Sequence, residues 1–350
     1  MLTNFKELEN YVLSQNMKKR IALANAHDEP ALSAVVNARR KGVVEGTLVG
    51  KKNEIIAMLH EMGESENDYE IVDFDGEELE AAKIAVQLVR EGKADIPMKG
   101  ILQTSNFARA ILNKETGLIP TGGRRLVSQC GIFEYEGRFV MITDAAINIA
   151  PDVETQIGIV ENALPVARAL GIDCPKVAVL SAVENVTDKM PSTVSAKEIA
   201  ERGVEGCVIS GPLALDGAIS MESVKHKAIH DPVAGQADIL LVPFIEIGNV
   251  LYKACTYIAG KTMASTICGA SCPVIITSRA DTPDSKYYSI LMAVLRCLRR
   301  NAWRPPPAIW RSCWSSSHRC GTCAVGKCSG STWCTSTKNR CFWCATTQFL

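Results

Sequence analysis

Apolar runs and amphipathic stretches alternate along residues 1–296. RIALANA, GTLVG, YEIVDF and IPMKG are short, buried-type runs and predict strands. FKELENYVL, KKNEIIAMLHEMG and TSNFARAILNKE carry helical periodicity between them. PALSAVVNARRKG reads as a helix with Pro30 in its first turn, where the missing N–H costs nothing. GEELEAAKIAVQLVREGKAD repeats its apolar positions every three to four residues and predicts a helix. The second half keeps the rhythm. RFVMITD, KVAVLSAV, GCVISG, ADILLVPF and CPVIITS predict strands. PDVETQIGIVENALPVARALG, AKEIAERG, IGNVLYKACTYIAG and PDSKYYSILMAVLRCL predict helices.

Such alternation predicts an α/β protein of parallel sheets with helices on both faces. Ligands in these folds bind beyond the carboxyl ends of strands. That rule nominates Lys99-Gly100, Thr143-Asp144, Ser210-Gly211-Pro212, Gly248-Asn249 and Ser278-Arg279. Ordinary turn chemistry explains any one of them equally well. No GxGxxG follows the first strand, and neither a Walker A loop nor HExxH nor GxSxG is present. His27, His60, His226 and His230 are scattered, and Cys130, Cys174, Cys207, Cys255, Cys268 and Cys272 form no knuckle pair. These six cysteines read as small buried apolar residues, and no metal site is expected among them.

Composition changes the picture at one place. The 350 residues are 47% apolar and have zero formal net charge, which makes no electrostatic case for nucleic acid or anionic membrane. No apolar run reaches the length of a membrane span, and the amino terminus lacks a signal core, so a cytoplasmic protein is expected. Yet all five tryptophans lie beyond residue 300, with eight of the fourteen cysteines at or after Cys297 and no acid after Asp284. Residues 1–296 carry 30 basic and 38 acidic residues, a net charge of −8. Residues 299–350 hold neither periodicity and read as a disordered or read-through appendage. The competing reading is a zinc ribbon: Cys320/Cys323 and Cys341/Cys344 form two CxxC pairs, with His318, Cys328 and Cys334 as spare ligands. The crowding of cysteines makes chance pairs common.

Several segments together carry a family likeness. VPFIEIGNVLYKACTY, SGPLALDGAIS, MITDAAINIAP and TSRADTPDSKYYSI, within a likeness that spans residues 5–295, resemble the phosphate acetyl/butyryltransferase family. KADIPMKGILQT and KMPSTV resemble its butyryl branch. The resemblance implies transfer of an acyl group between coenzyme A and inorganic phosphate. It also implies a two-domain parallel-sheet fold similar to isocitrate and isopropylmalate dehydrogenases, with the active site in the interdomain cleft. Residues 1–144 with 280–298 would form the first domain and 145–279 the second. It further implies a homodimer or higher homo-oligomer, with coenzyme A as substrate and no tightly bound cofactor or metal.

The chemistry then assigns roles. Phosphate needs cations and N–H donors, and the planar fork of Arg279 suits it. Gly248 and Asn249 are expected to begin a helix whose N-terminus receives an anion, with Lys253 one turn on. Attack on the acyl carbonyl places negative charge on its oxygen, which the Ser278 hydroxyl would stabilise. Ser278 has no paired histidine and is not read as a nucleophile. In the acetyl branch an acid follows the Ser-Arg pair, at the position held here by Ser285. Asp281 and Asp284 are therefore both candidates to assist the thiol, and Asp284 alternatively caps the last helix. Lys99, beside the substrate-region candidate Gly100, would supply a cation on the opposite wall. Ser128, Asn148 and Asp216 are further substrate-region candidates, and Gln129 follows Ser128 where butyryl-type sequences often carry His. Structural roles, as solvated lysines or helix caps, compete for Lys99, Lys253 and Asp216. Rival functions are a phosphate acetyltransferase, a nicotinamide-dependent dehydrogenase on the related fold, and a zinc adaptor working through the tail.

Overall fold

The computed structural model describes residues 1–120, 125–278 and 281–299. The tail with its CxxC pairs, and Arg279, lie outside the described residues. In chain order the elements are α1 (Phe5–Ser14), β1 (Lys19–Ala24), α2 (Glu29–Arg40), β2 (Val44–Gly50), α3 (Lys52–Glu61), β3 (Glu70–Asp73), α4 (Glu78–Arg90), β4 (Ile96–Lys99) and α5 (Thr104–Ile111). Next come β5 (Ser128–Tyr135), β6 (Arg138–Thr143), α6 (Val153–Ala169), β7 (Lys176–Leu180), α7 (Pro191–Arg202), β8 (Val208–Leu213), α8 (Leu215–Ile219) and α9 (Met221–Lys227). The last are β9 (Ile239–Leu241), α10 (Ile245–Lys253), β10 (Ala264–Cys268) and α11 (Pro283–Arg299).

Two sheets result. The first has the order β3-β2-β1-β4 and is wholly parallel. The second has the order β10-β5-β6-β9-β7-β8, and its β6, β9, β7 and β8 are parallel. This is the expected α/β class, with one departure: β5 pairs antiparallel to both β6 and β10. The hairpin between β5 and β6 turns at Glu136-Gly137, both with positive φ (46° and 74°). That is the backbone hand that matches strand twist in a two-residue turn. Sheet membership does not follow the expected boundary at 144/145, because β5 and β6 pair within the six-stranded sheet.

The CPVIITS run is not a full strand. It is a connector that pairs on both sides. Lys99 N donates to Ile275 O (3.0 Å), and Ile275 N donates to Pro97 O (3.0 Å). On its other edge Ile267 N donates to Val274 O (2.9 Å). Residues 274–276 therefore run parallel to β4 and antiparallel to β10, and they join the two sheets.

Helix α11 lies along this junction and is buried over most of its length, from Ser285 to Leu295. Its polar side chains serve the free edge of β10: Ser285 Oγ accepts from Met263 N (3.3 Å) and Ser289 Oγ from Ser265 N (2.8 Å). Arg296 donates to Thr266 Oγ1 (2.7 Å) and Ile267 O (2.9 Å). An edge strand inside a core otherwise leaves costly unpaired groups. Of the six body cysteines, Cys130, Cys207, Cys268 and Cys272 are buried as expected, Cys255 is half-buried, and Cys174 is exposed in the α6–β7 loop. No helix among the described residues is long and apolar enough to cross a membrane.

A charged knot fastens α1, α2 and α11. Glu9 is buried and accepts from Lys41 Nζ (2.7 Å), Tyr287 Oη (2.9 Å) and Lys6 Nζ (3.2 Å). The Lys41 ammonium, above all, holds the Glu9 carboxyl down to about 2, against an ordinary 4.5. A depressed acid stabilises the fold fully above its unfolded value and loses that contribution as pH falls through the folded one. Glu9→Gln is expected to cost on the order of 2 kcal/mol at neutral pH. Urea unfolding of wild type and variant should give stabilities that converge as pH is lowered from about 5 towards 2.

Candidate active site

The carboxyl ends of β1, β4 and the 274–276 connector lie side by side. β1 is followed by Asn25, whose Nδ2 donates to Ile101 O (3.1 Å), while Ile101 N donates to Asn25 O (3.1 Å). Gly100 N donates to Ala24 O (2.9 Å). A Cβ at Gly100 would stand 2.3 Å from Asn25 O and 2.7 Å from Ala24 O, so only glycine lets these two strand ends close. The preceding Lys99 is 6% exposed, and its ammonium donates to the carbonyls of Gly100 (3.1 Å) and Leu102 (3.0 Å). Met98 stands opposite Ile275 in the parallel pairing of β4 with the connector, and the exposed Ser278 follows three residues further on.

Ser278 begins a turn closed by Asp281, whose Oδ2 accepts from Ser278 N (2.7 Å). Burial pushes the Asp281 carboxyl up, and the Ser278 N–H and the Lys286 ammonium pull it back. Thr282, not Asp284, caps α11: its Oγ1 accepts from Ser285 N (3.1 Å). Asp284 is exposed in the helix's first turn.

A second polar group surrounds Asp144, which the sequence marked only as a strand end. Its Oδ1 accepts from the N–H groups of Gln129 (3.2 Å), Ala146 (2.9 Å) and Ile147 (3.1 Å). Its Oδ2 accepts from Asn148 N (3.0 Å) and Asn148 Nδ2 (2.6 Å). Burial pushes this carboxyl up, and the N–H donors oppose it. Asn148 Nδ2 also donates to Val127 O (2.9 Å), and Ser128 Oγ accepts from Asn162 (3.3 Å). The Gln129 amide donates to Ser265 Oγ (2.8 Å), which tethers the group to β10.

α10 begins at Ile245, so Gly248 and Asn249 lie inside the helix and do not open it. The expected anion-receiving N-terminus at these two residues is therefore corrected. Gly248 instead permits close packing: a Cβ there would stand 2.5 Å from Asp144 O. Asn249 Nδ2 donates to Ala145 O (3.3 Å). From that end α10 runs towards Asp281, whose charge acts on the buried Tyr252 phenol. Lys253 is exposed at the helix's last turn, and Asp216 is exposed and paired with Lys227 (3.0 Å) on α9.

The candidates thus divide. Lys99 and Gly100 lie at the end of β4, and Ser278 and Asp281 are bonded to each other beyond the connector that pairs with that strand. Ser128, Asn148, Gly248 and Asn249 gather at Asp144, and because β6 runs against β4 through the intervening antiparallel pairings, that group sits at the opposite strand ends. Asp216 belongs to neither group.

Residues 77–294 match the family profile described as Phosphate acetyl/butaryl transferase. The chain belongs to this family. A phosphate butyryltransferase of Clostridium acetobutylicum is 44% identical over 301 residues, 84% of this chain and 98% of that protein. A phosphate acetyltransferase of Thermotoga maritima is 37% identical, over 81% of this chain and 97% of its own. A crystal structure of a branched-chain phosphotransacylase from Enterococcus faecalis V583 superposes with a TM-score of 0.71 at 36% identity, covering 79% of this chain and 98% of that one.

Sequence reasoning missed Asn25, Asp28 and Lys286, and reached Asp144 only as part of a strand-end pair. The strand-end rule, applied to RIALANAHD as it was to the other runs, reaches Asn25 and Asp28. Lys286 announces itself as a lysine whose neighbours at three and four residues, Ser289 and Ile290, lie on the buried face. The Asp144 turn supports a packing prediction. Asp144→Asn turns an amide NH2 onto N–H donors, and Gly248→Ala drives a methyl into the 144–145 backbone. Each is expected to cost about 1–3 kcal/mol in denaturant unfolding, with no loss for Asn249→Ala beyond about 1 kcal/mol.

Proposed function

We propose that this chain catalyses acyl-CoA + phosphate ⇌ acyl phosphate + CoA, with butyryl as the acyl group, at the strand ends that carry Lys99, Gly100, Ser278 and Asp281. The observation that carries the reading is the family match over 77–294, a span containing every one of these residues. In this reading the reaction is a direct transfer within a ternary complex, where proximity supplies much of the rate. In the forward direction a phosphate oxygen attacks the thioester carbonyl, the C–O bond forms, and the C–S bond breaks to release the CoA thiolate. The Ser278 hydroxyl donates to the carbonyl oxygen as it gains charge. Arg279 binds phosphate through its fork of N–H donors. Lys99 completes the positive field from the neighbouring strand end. Asp281 takes the thiol proton when CoA attacks in reverse. It is favoured over Asp284 because it is partly buried and bonded to the Ser278 N–H. Gly248, Asn249, Ser128 and Asn148 act from a distance, by fixing α10 and the turn at Asp144. Lys253, at the end of α10 nearer Asp281, is placed to meet the anionic CoA. The working form in this reading is a cytoplasmic homodimer or higher homo-oligomer.

Acetyl transfer is the second reading, favoured by the identity to a phosphate acetyltransferase. The chemistry is the same, and each methylene in the acyl pocket is worth roughly 1–3 kcal/mol of discrimination. Phosphate-dependent CoA release from a series of acyl-CoAs tests both. Release is expected to saturate with phosphate and to be fastest with butyryl-CoA. An acetyl-CoA optimum selects the second reading, and no release from either ends both. Ser278→Ala is expected to lower kcat by about 10²–10³, and Arg279→Ala to raise the phosphate KM at least about tenfold.

A further inference from the structure

One buried charge next to the Ser278 turn has no part in the acyl-transfer steps themselves. Lys286 stands in the first turn of α11 and is 2% exposed. A lysine so far from water is rare unless it has anionic or carbonyl partners. Lys286 Nζ donates to the backbone oxygen of Asp281. Two carboxylates act on it, Asp281 from its own end of the connector and Asp28 from the loop between β1 and α2. Asp28 is itself fixed, because its carbonyl accepts from Ala31 N (3.1 Å) and Leu32 N (2.8 Å) at the start of α2. The ammonium is therefore fastened to the residue that bonds Ser278, within the field of Asp28.

We propose that Lys286 is a positioning residue for acyl transfer: it ties Asp281, and through it Ser278, to α11, and its charge favours the carboxylate form of Asp281. The inference rests on the acyl-transfer reading, in which Ser278 and Asp281 serve the reacting groups. The backbone bond from Lys286 fixes where Asp281 begins, and the Asp281–Ser278 bond fixes the direction of the serine N–H. The charge acts on the same carboxylate. Burial works against ionisation of both partners, pushing Asp281 up and Lys286 down, and each opposes that push on the other. Asp28 on the β1–α2 loop also acts on Lys286, and Asp281 acts on the neutral Tyr252 phenol of α10.

Without the cation, Asp281 keeps its proton to a higher pH, so the acidic limb of the rate profile moves up. The full chain is assayed for phosphate-dependent CoA release between pH 5 and 9. Lys286→Met is expected to move the acidic limb up by about half a unit or more and to lower kcat at least about tenfold at pH 7. Lys286→Arg, which keeps the charge, is expected to retain the wild-type limb. Asp28→Asn, which removes one of the two carboxylates that act on the lysine, moves the limb down. A purely structural lysine would lower kcat equally at every pH and leave the limb in place, and that result overturns the proposal. If Lys286→Met does not fold, the Asp28→Asn profile decides: an unmoved limb overturns the proposal and a lowered one supports it. A wild-type chain that releases no CoA overturns the functional reading and this inference with it. An active wild type with unmoved limbs in the variants overturns the inference alone.

Discussion

Three residues, 274–276, pair on both edges, with β4 on one side and β10 on the other. The rest of the fold around the proposed site depends on that double pairing. A parallel four-stranded sheet and a mixed six-stranded one would otherwise each end in an exposed edge, with a row of unsatisfied N–H and C=O groups. The connector closes both edges with its own backbone. It also sets Ile275 opposite Met98, so the chain leading to Ser278 leaves from the edge of β4.

The closure succeeds because α11 supplies polar side chains where backbone pairing runs out. Ser285, Ser289 and Arg296 satisfy β10 from within a helix otherwise dominated by Ile290, Leu291, Met292, Val294 and Leu295. Buried polar groups are tolerated when each finds a partner. The same helix carries Lys286 beneath the Ser278 turn and Tyr287 against Glu9. One element thus joins the sheets, anchors the first helix and supports the proposed site. Changes in its polar face are felt at all three.

Strand direction accounts for the two separate polar groups. Where β4 and the connector end, small residues and a buried ammonium allow backbones to approach closely. Where β6 ends, a carboxylate gathers five N–H donors and organises the turn that seats α10. The first arrangement leaves an exposed serine at its rim. The second is saturated by its own chain. That contrast is why the proposed chemistry is placed at the first and a scaffolding role at the second.

Alternation of apolar runs with amphipathic stretches is a local property, and it was enough to reveal the α/β class and the elements other than β5, β10 and the short α8 and α9. The motif segments around Ser278, Lys99 and Gly248 were enough for the family. Local pattern did not reveal β10, because ASTIC is too short and too mixed to stand out from its loop. Nor did it reveal the antiparallel pairing of β5, since alternation says nothing of strand direction. The partners that Asp144, Asp28 and Lys286 meet were illegible for a related reason: a charged residue reads as solvent-exposed until the elements packed against it are in place. Gly248 looked like a helix start from its neighbours and proved to be a packing contact with a residue distant in the chain, Asp144. Periodicity along the chain decided which residues face inward. Only tertiary pairing decided which strand ends meet, and hence which polar residues share a site.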